Sequence, residues 1–377
     1  LIHAFGTEKV MKDEQADNQS EWEKGEEQPA LTPLGTPPEP PIRPRSGDII
    51  NTSPELIVGE GDVRTVDVGG AGEPLAGTSL WKDAWRRLLK NKLAVFGMIV
   101  VAIVLIASLV GPIIVEKATG FSYDTIPRDM EITRAMPPFR DVNGKFSGLH
   151  PMGTDPSGRD VLARVLIGGR ISLMVGIIST LVSLLIGITF GATSGYLGGR
   201  VDTVMMRIVD VLYALPYMMI VIVLLAFFGG KSPMGQLVLL FIALGAVSWL
   251  TMARIVRGQV ISLKNQEFVL AARATGVSTT RIIFRHLVPN TLGPVIVYAT
   301  LTIPQVMLQE AFLSFLGLGV QAPLASWGSL ASEGIQNIAI FPWQLIFPGV
   351  TMALTLFSLN FLGDGLRDAL DPQMRKT

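Results

Sequence analysis

The sequence predicts an all-α membrane protein with six transmembrane helices, and three observations carry that reading. Of 377 residues, 49% are hydrophobic and only 16% charged, and the mean hydropathy is positive, an apolar excess over soluble proteins. Six charge-free stretches each come near the ~20 residues needed to cross a hydrocarbon core of about 30 Å. The basic residues gather between alternate pairs of these stretches, on one side of the bundle. A formal net charge of zero hides an uneven layout, because the first eighty residues are polar and acid-rich, so it says nothing of partners. Cysteine is absent, which excludes disulfides, thiolate catalysis and Cys-ligated metal. His3, His150 and His286 stand far apart in sequence and do not suggest a metal site.

Residues 1–78 are expected to be a disordered cytoplasmic tail. Acidic runs such as Glu21 to Glu27 and the prolines from Pro29 through Pro44 cannot bury enough apolar surface to offset the entropy of ordering. The chain opens on Leu1 and has a methionine at Met11, so its first ten residues read as a fragment edge or a misplaced start. No signal peptide is expected, because the first strong apolar stretch begins after position 92. Residues 79–92 form an interfacial helix in this reading. Trp81, Trp85, Leu88 and Leu89 recur at helical spacing, with Lys82, Arg86, Arg87 and Lys90 between them. Such a helix lies in the headgroup plane as an anchor, its cations on anionic lipid.

The first span is Leu93–Val115, followed by an extracytoplasmic loop, 116–168. Residues 169–370 hold the other five spans, near Ile171–Thr193, Val211–Phe228, Gln236–Ala253, Thr291–Phe312 and Leu345–Leu362. A further uncharged run, Ala311 to Ser332, contains Gly317, Gly319, Pro323 and Gly328. Unsatisfied backbone is costly in lipid, so this run is expected to be an outside loop with a re-entrant part. Lys82 to Lys92, Arg200, Arg207, Arg254 to Arg285 and Arg367 all fall on one side, which the positive-inside rule makes cytoplasmic. Both termini, including residues 371–377, are then cytoplasmic. The loop 116–168 also carries basic residues, but it is long and nearly balanced in charge, and long loops cross largely regardless of charge.

Three look-alike motifs carry no chemistry. Asp155-Pro156-Ser157-Gly158 has type I turn residues and leads into a short helix; with His150 and Asp160 it reads as a turn rather than an acid–base group. Gly229-Gly230-Lys231-Ser232 lacks the first glycine of a phosphate loop, Leu225 standing in its place, and no strand precedes it. Phe361-Leu362-Gly363-Asp364 resembles an intramembrane aspartyl protease motif, with Asp210 as the second carboxylate. It has phenylalanine where that motif needs glycine, and both aspartates flank spans, where they cap helices or pair with arginines.

The most informative stretch is the basic loop 254–290, between spans four and five. It has room for two short helices. Ala271 and Ala272 offer a side-chain-poor face that a partner groove can approach closely. Gly276 supplies a break or tight contact, and Pro289, thirteen residues later, suits the first turn of the next span.

Taken together, the segments resemble the dipeptide, oligopeptide and nickel branch of ABC importer permeases, specifically the C-type subunit, over roughly Trp81 to Pro372. The matching residues are Gly153-Thr154-Asp155 with Gly158-Arg159-Asp160, then Gly169-Arg170-Ile171-Ser172-Leu173. Ala271-Ala272-Arg273 with Gly276, and Arg285-His286 with Pro289-Asn290, follow. Further on are Leu313 through Gly319 with Trp327-Gly328, and Gly363 through Asp368. One position departs from the pattern: the acidic residue that often precedes the alanine pair is Leu270 here, with Glu267 three residues earlier.

The resemblance implies a type I ABC importer permease fold and no enzymatic activity in this chain. It also implies a B-type permease partner, two ATPase subunits that hold ATP and magnesium, and an extracytoplasmic solute-binding protein, all in a bacterial or archaeal plasma membrane. No cofactor, metal or nucleic acid is expected on this chain. Glu267, Ala271, Ala272, Arg273, Gly276, His286 and Pro289 would couple the ATPases to the spans. Short peptides are the expected solute, with nickel or another small solute as the alternative. A secondary transporter or channel usually needs ionisable residues inside its spans. Glu310 alone qualifies here, near the outer end of span five. It is either a residue facing the outer aqueous layer, or one that has a water-filled solute path, a partner on another helix or a peptide amine to bind. A membrane enzyme would need an assembled nucleophile, base or metal set, and the sequence shows none.

Overall fold

The computed structural model describes residues 80–126, 135–140, 143–229 and 232–370, so the expected tail 1–78 and the C-terminal residues 371–377 lie outside the described residues. The helices are α1 (Leu80–Lys90), α2 (Lys92–Thr119), α3 (Val161–Leu197), α4 (Gly199–Ala214), α5 (Tyr217–Phe228) and α6 (Pro233–Leu263). They continue with α7 (Glu267–Ala274), α8 (Thr279–Arg281), α9 (Val288–Phe315), α10 (Trp327–Gln336) and α11 (Trp343–Leu370). A π-helical turn, Ile282–Leu287, joins α8 to α9. Five crossings are long and apolar enough for a bilayer: α2, α3, α6, the run Thr279–Phe315, and α11. Helices α4 and α5, bent by 79° where they meet, make a sixth when taken together as one broken span.

That bend corrects the expected straight span Val211–Phe228. Pro216 has no N–H to give, and it forces Leu215 into an extended conformation (φ −79°, ψ 141°), so α4 stops at Ala214 and α5 restarts at Tyr217. Other helix ends are set by caps rather than by the loss of apolar residues. Asn91 Oδ1 accepts from the N–H groups of Leu93 (3.1 Å) and Ala94 (3.3 Å), which starts α2. Asp160 accepts from Ala163 N–H at 2.8 Å, which starts α3 ten residues before Ile171. The Asp155 turn therefore leads into the 37-residue α3, not into a separate short helix.

The centre of the bundle is the pairing of α3 with α6. Gly187, Gly191 and Gly195 fall four apart on α3, so their bare faces stack in one row. A Cβ added at Gly187 would lie 2.6 Å from Met252, and one at Gly195 would lie 2.8 Å from the Arg257 carbonyl. At Gly191 it would strike the Ala253 carbonyl. Lipid gives helices no hydrophobic reason to associate, so close backbone approach of this kind is what pairs them. An apolar core of Val175, Val221, Leu240, Leu244, Val306 and Leu313 then ties α3 and α6 to α5 and α9.

Two expectations are revised by packing. The α1 helix does not simply sink an apolar face into lipid. Ala84 and Leu88 pack with Leu362, Leu366, Ala369 and Leu370 at the end of α11, while Trp85 and Leu89 stay exposed. The run 311–332 is only partly an outside loop. Helix α9 continues to Phe315, and α10 begins with Trp327 fully buried, its indole N–H donating to the Val165 carbonyl at 2.9 Å. Gly169 makes room for that indole, since a Cβ there would lie 2.6 Å from it.

Candidate functional site

Basic residues of α6 and α7 converge at one end of the bundle, where they build a rigid base. Arg257 holds Asp202 of α4 in a fork, Nε to Oδ1 and Nη2 to Oδ2 both at 2.6 Å, and Ser194 also donates to that carboxylate. Lys264 donates to the Gly195 carbonyl at 3.1 Å. Arg273 of α7 donates to the Tyr196 phenol at 3.1 Å and lies over its ring at 4.9 Å. Arg254 pairs with Asp210 at 2.9 Å and lies over Tyr213 at 4.3 Å. Asp210 is thus part of an ion pair, and Asp364 is exposed on α11.

On this base α7 presents two faces. Val269 and Ala272, one turn apart, are buried with Val256, Val260, Ile282 and Leu287. Glu267, Ala271 and Arg273 are exposed, and so are Phe268 (39%) and Leu270 (49%). Two apolar side chains therefore flank Ala271 on a polar end of the molecule. The alanine pair points to opposite sides, Ala271 out and Ala272 in.

The helix closes with a Schellman motif. Val277 N–H bonds to the Ala272 carbonyl at 3.1 Å and Gly276 N–H to the Arg273 carbonyl at 3.0 Å. Gly276 sits at φ +75°, and a Cβ there would meet nothing within 4 Å. The glycine is a backbone break, not a tight contact.

Pro289 stands in the first turn of α9, as expected, but that turn does not begin the helical run. The helical run has already begun at Thr279, and Pro289 follows the π-helical turn, where Val288 N–H reaches five residues back to the Ile283 carbonyl. Pro289 has no N–H to donate, and the Asn290 carboxamide donates to the His286 carbonyl beside it. His286 is half-buried in that turn and Pro289 is exposed.

At the opposite end, the turn residues close a polar lock. Gly158 N–H bonds to the Asp155 carbonyl at 2.9 Å, completing the expected turn. His150 Nδ1 lies 2.7 Å from Asp160 Oδ2. Asp155 Oδ2 accepts from Arg159 (2.6 Å) and Arg164 (2.8 Å), and Arg164 reaches on to Glu333 of α10 at 2.7 and 3.0 Å. These carboxylates hold helix ends together. Trp343 adds a bond from its indole to the Thr154 carbonyl at 3.1 Å.

Glu310 requires a correction as a path residue, and the expected alternative of a partner on another helix is the one that holds. It faces neither the outer aqueous layer nor an open path: it is 1% exposed, and Ser314 and Ser326 both donate to its Oε1 at 2.6 Å. Ser326 is also the cap of α10, so Glu310 ties α9 to α10.

The polar face of α9 is elsewhere. Tyr298, Thr302, Gln305 and Gln309 recur at helical spacing and line a cleft of about 370 Å³. Ser248 and Thr251 of α6 face it, and Tyr213 and Tyr217 flank it at the α4–α5 break. A sequence search for ionisable groups passes over this stripe. Its signal is a polar period of 3.6 inside an apolar span.

Comparison with known proteins agrees with this geometry. Residues 187–376 match the family described as binding-protein-dependent transport system inner membrane component. Residues 79–138 match the N-terminal TM domain of oligopeptide transport permease C. The chain is 50% identical over 299 residues to the Oligopeptide transport system permease protein OppC of Escherichia coli K12, covering 79% of this chain and 93% of that one. It is 48% identical over 301 residues to the protein of the same name from Haemophilus influenzae, covering 80% and 91%. It is also 44% identical over 299 residues to the Dipeptide transport system permease protein DppC of Bacillus subtilis, covering 79% and 87%. The chain belongs to the inner-membrane permeases of binding-protein-dependent ABC importers, as a subunit of the C type.

Proposed function

We propose that this permease forms one half of the translocation path of a short-peptide importer, beside a B-type permease subunit, in a complex with two ATPase subunits of which one docks on α7 and Gly276. The observation that carries the reading is the platform. An exposed short helix with Phe268 and Leu270 beside Ala271 stands on a base braced by the Arg257–Asp202 fork. Peptide as the solute follows from the relatives, whose names give oligopeptide and dipeptide transport.

The basic end is the cytoplasmic one by the positive-inside rule, and the His150–Glu333 end then meets the extracytoplasmic solute-binding protein. ATP and magnesium belong to the ATPase subunits, and this chain carries no cofactor of its own. Closure of the ATPases pushes α7. The buried contacts of Val269 and Ala272, and the π-helical turn, pass that movement to α6 and α9, the helices that line the cleft. Driving a two-state path from 1:99 to 99:1 takes about 5.5 kcal/mol of differential affinity, within reach of nucleotide binding at two sites.

The test is reconstitution of the complete importer in proteoliposomes with its binding protein. ATP-dependent uptake of a labelled tripeptide is expected. ATP-dependent uptake of nickel but not of peptide would move the assignment to the small-solute alternative. Flux without ATP would overturn it in favour of a secondary transporter.

A further inference from the structure

Among the described residues, the cleft between α5, α6 and α9 is lined by phenols, hydroxyls and carboxamides together with Val247, Leu250 and Val306, and by no formally charged side chain. The nearest ion pair, Arg254–Asp210, lies one turn beyond Thr251 and Tyr213 and is not part of the lining. Two of the hydroxyl donors are already committed to the helices themselves, and Thr251 and Tyr298 are paired side chain to side chain. Thr302 donates to the Tyr298 carbonyl at 2.8 Å and Ser248 to the Leu244 carbonyl at 2.9 Å. The Gln305 and Gln309 carboxamides make no hydrogen bond to a described residue, although both line the cleft, Gln305 exposed and Gln309 half-buried. Each offers an N–H and a C=O, the pair of groups a peptide bond presents.

Their spacing fits the same ligand. Residues four apart on an α-helix are separated by a rise of about 6 Å. Peptide units on one side of an extended chain repeat every two residues, or about 6.6 Å. Two successive carboxamides can therefore meet two successive same-facing peptide units. A charge placed in the cleft would favour peptides of one sign and penalise the other, and the lining holds none.

We infer that this cleft binds the main chain of the transported peptide through the Gln305 and Gln309 carboxamides, and that it passes peptides without regard to side-chain charge. The inference rests on the peptide reading above and adds the group that is recognised. Tyr217, exposed at the start of α5, gives the cleft a flat apolar flank against which side chains of any charge can lie, while the Tyr213 ring is occupied by Arg254.

The experiment is a matrix of transporter variants against peptide analogues, with the complete importer in proteoliposomes, saturating binding protein and ATP. The probes are tetraalanine, tetraalanine with its third amide N-methylated, Ala-Lys-Ala and Ala-Glu-Ala; a tetrapeptide is the shortest chain with two peptide units facing the same side. The transporters are wild type, the double variant Gln305→Leu/Gln309→Leu, and the near-isosteric Gln305→Glu. The ratio of tetraalanine uptake to uptake of its N-methyl analogue is measured in each. The binding protein's own preference enters every complex equally and cancels when the ratios are compared.

The wild-type ratio is expected to exceed that of the double variant by about tenfold, the size of one hydrogen bond. The double variant should slow Ala-Lys-Ala and Ala-Glu-Ala to the same degree, and Gln305→Glu should create a preference for Ala-Lys-Ala over Ala-Glu-Ala. Equal ratios in wild type and double variant, or no charge preference from Gln305→Glu, would overturn the inference and leave the peptide importer standing. Loss of the B-type subunit on purification of the double variant would overturn it as well, making the stripe a subunit interface. A wild-type complex that imports no peptide overturns the peptide reading and the inference together.

Discussion

Replacing Gly276 with valine perturbs the backbone of one residue and little else. A Cβ there meets no heavy atom within 4 Å, so there is no clash to relax and no packing to lose. The cost comes from φ +75°, where an L-residue sits about 1–2 kcal/mol above its preferred regions and a β-branched one at the upper end or beyond. If the chain relaxes instead, it gives up the Val277–Ala272 and Gly276–Arg273 bonds, each worth about 1 kcal/mol. Either route lowers the population of the α7 geometry that receives the ATPase by roughly 5–30-fold.

The assay is the affinity of the ATPase subunits for the purified permease pair, together with peptide imported per ATP hydrolysed. Gly276→Val is expected to insert normally, to weaken docking by about that factor and to lose most uptake. Excess ATPase should recover part of the docking, because binding selects the remaining competent conformers. Gly276→Asn should stay near wild type, since asparagine tolerates the left-handed region. Wild-type docking and coupling in the valine variant would refute the reasoning, and so would asparagine as damaging as valine.

Two further substitutions separate stability from transport. Arg164→Ala removes a buried guanidinium shared by Asp155 and Glu333 and is expected to cost about 1–3 kcal/mol, since Arg159 still pairs Asp155 and Glu333 is half-exposed. That should appear as a clear drop in the melting temperature of the purified permease, whereas Glu333→Ala, at a half-exposed carboxylate, should lower it much less. Glu310→Gln keeps an oxygen to accept from Ser314 and Ser326, so uptake and assembly should stay near wild type. Glu310→Leu leaves both buried hydroxyls without an acceptor and should destabilise the α9–α10 corner by about 1–3 kcal/mol per group, read by thermal melting.

The crossings were legible because bilayer thickness imposes a length on any apolar helix, and the one-sided basic residues marked the end where α7 lies. The break in the third crossing was also legible, since Leu215-Pro216 is a helix stop, but the apolar run on both sides masked it. Helix α3 was harder. Arg164 and Arg170 interrupt the apolar signal, although Asp160 already supplied the cap.

The rest depends on contacts distant in sequence. Glu310 looked like a lone carboxylate because one of its two donors, Ser326, lies sixteen residues away beyond a loop. The apolar residues of α1 looked lipid-facing because Ala369 and Leu370, which cover Ala84 and Leu88, come from the far end of the chain. Within the coupling segment, the glycine and the small pair were readable by type. Which alanine faces outward was not, because that depends on how α7 seats against α6 and the π-helical turn.

The most direct test of the account is protection at Ala271. The chain has no native cysteine, so Ala271→Cys introduces a single thiol on the outward face of α7, and Ser157→Cys places one at the opposite end. Maleimide labelling of each is compared in the detergent-purified permease pair with and without the ATPase subunits. The account predicts that the thiol at position 271 reacts readily in the permease alone and is strongly protected in the full complex, while the one at 157 reacts equally in both. Equal labelling of position 271 in both preparations would contradict it.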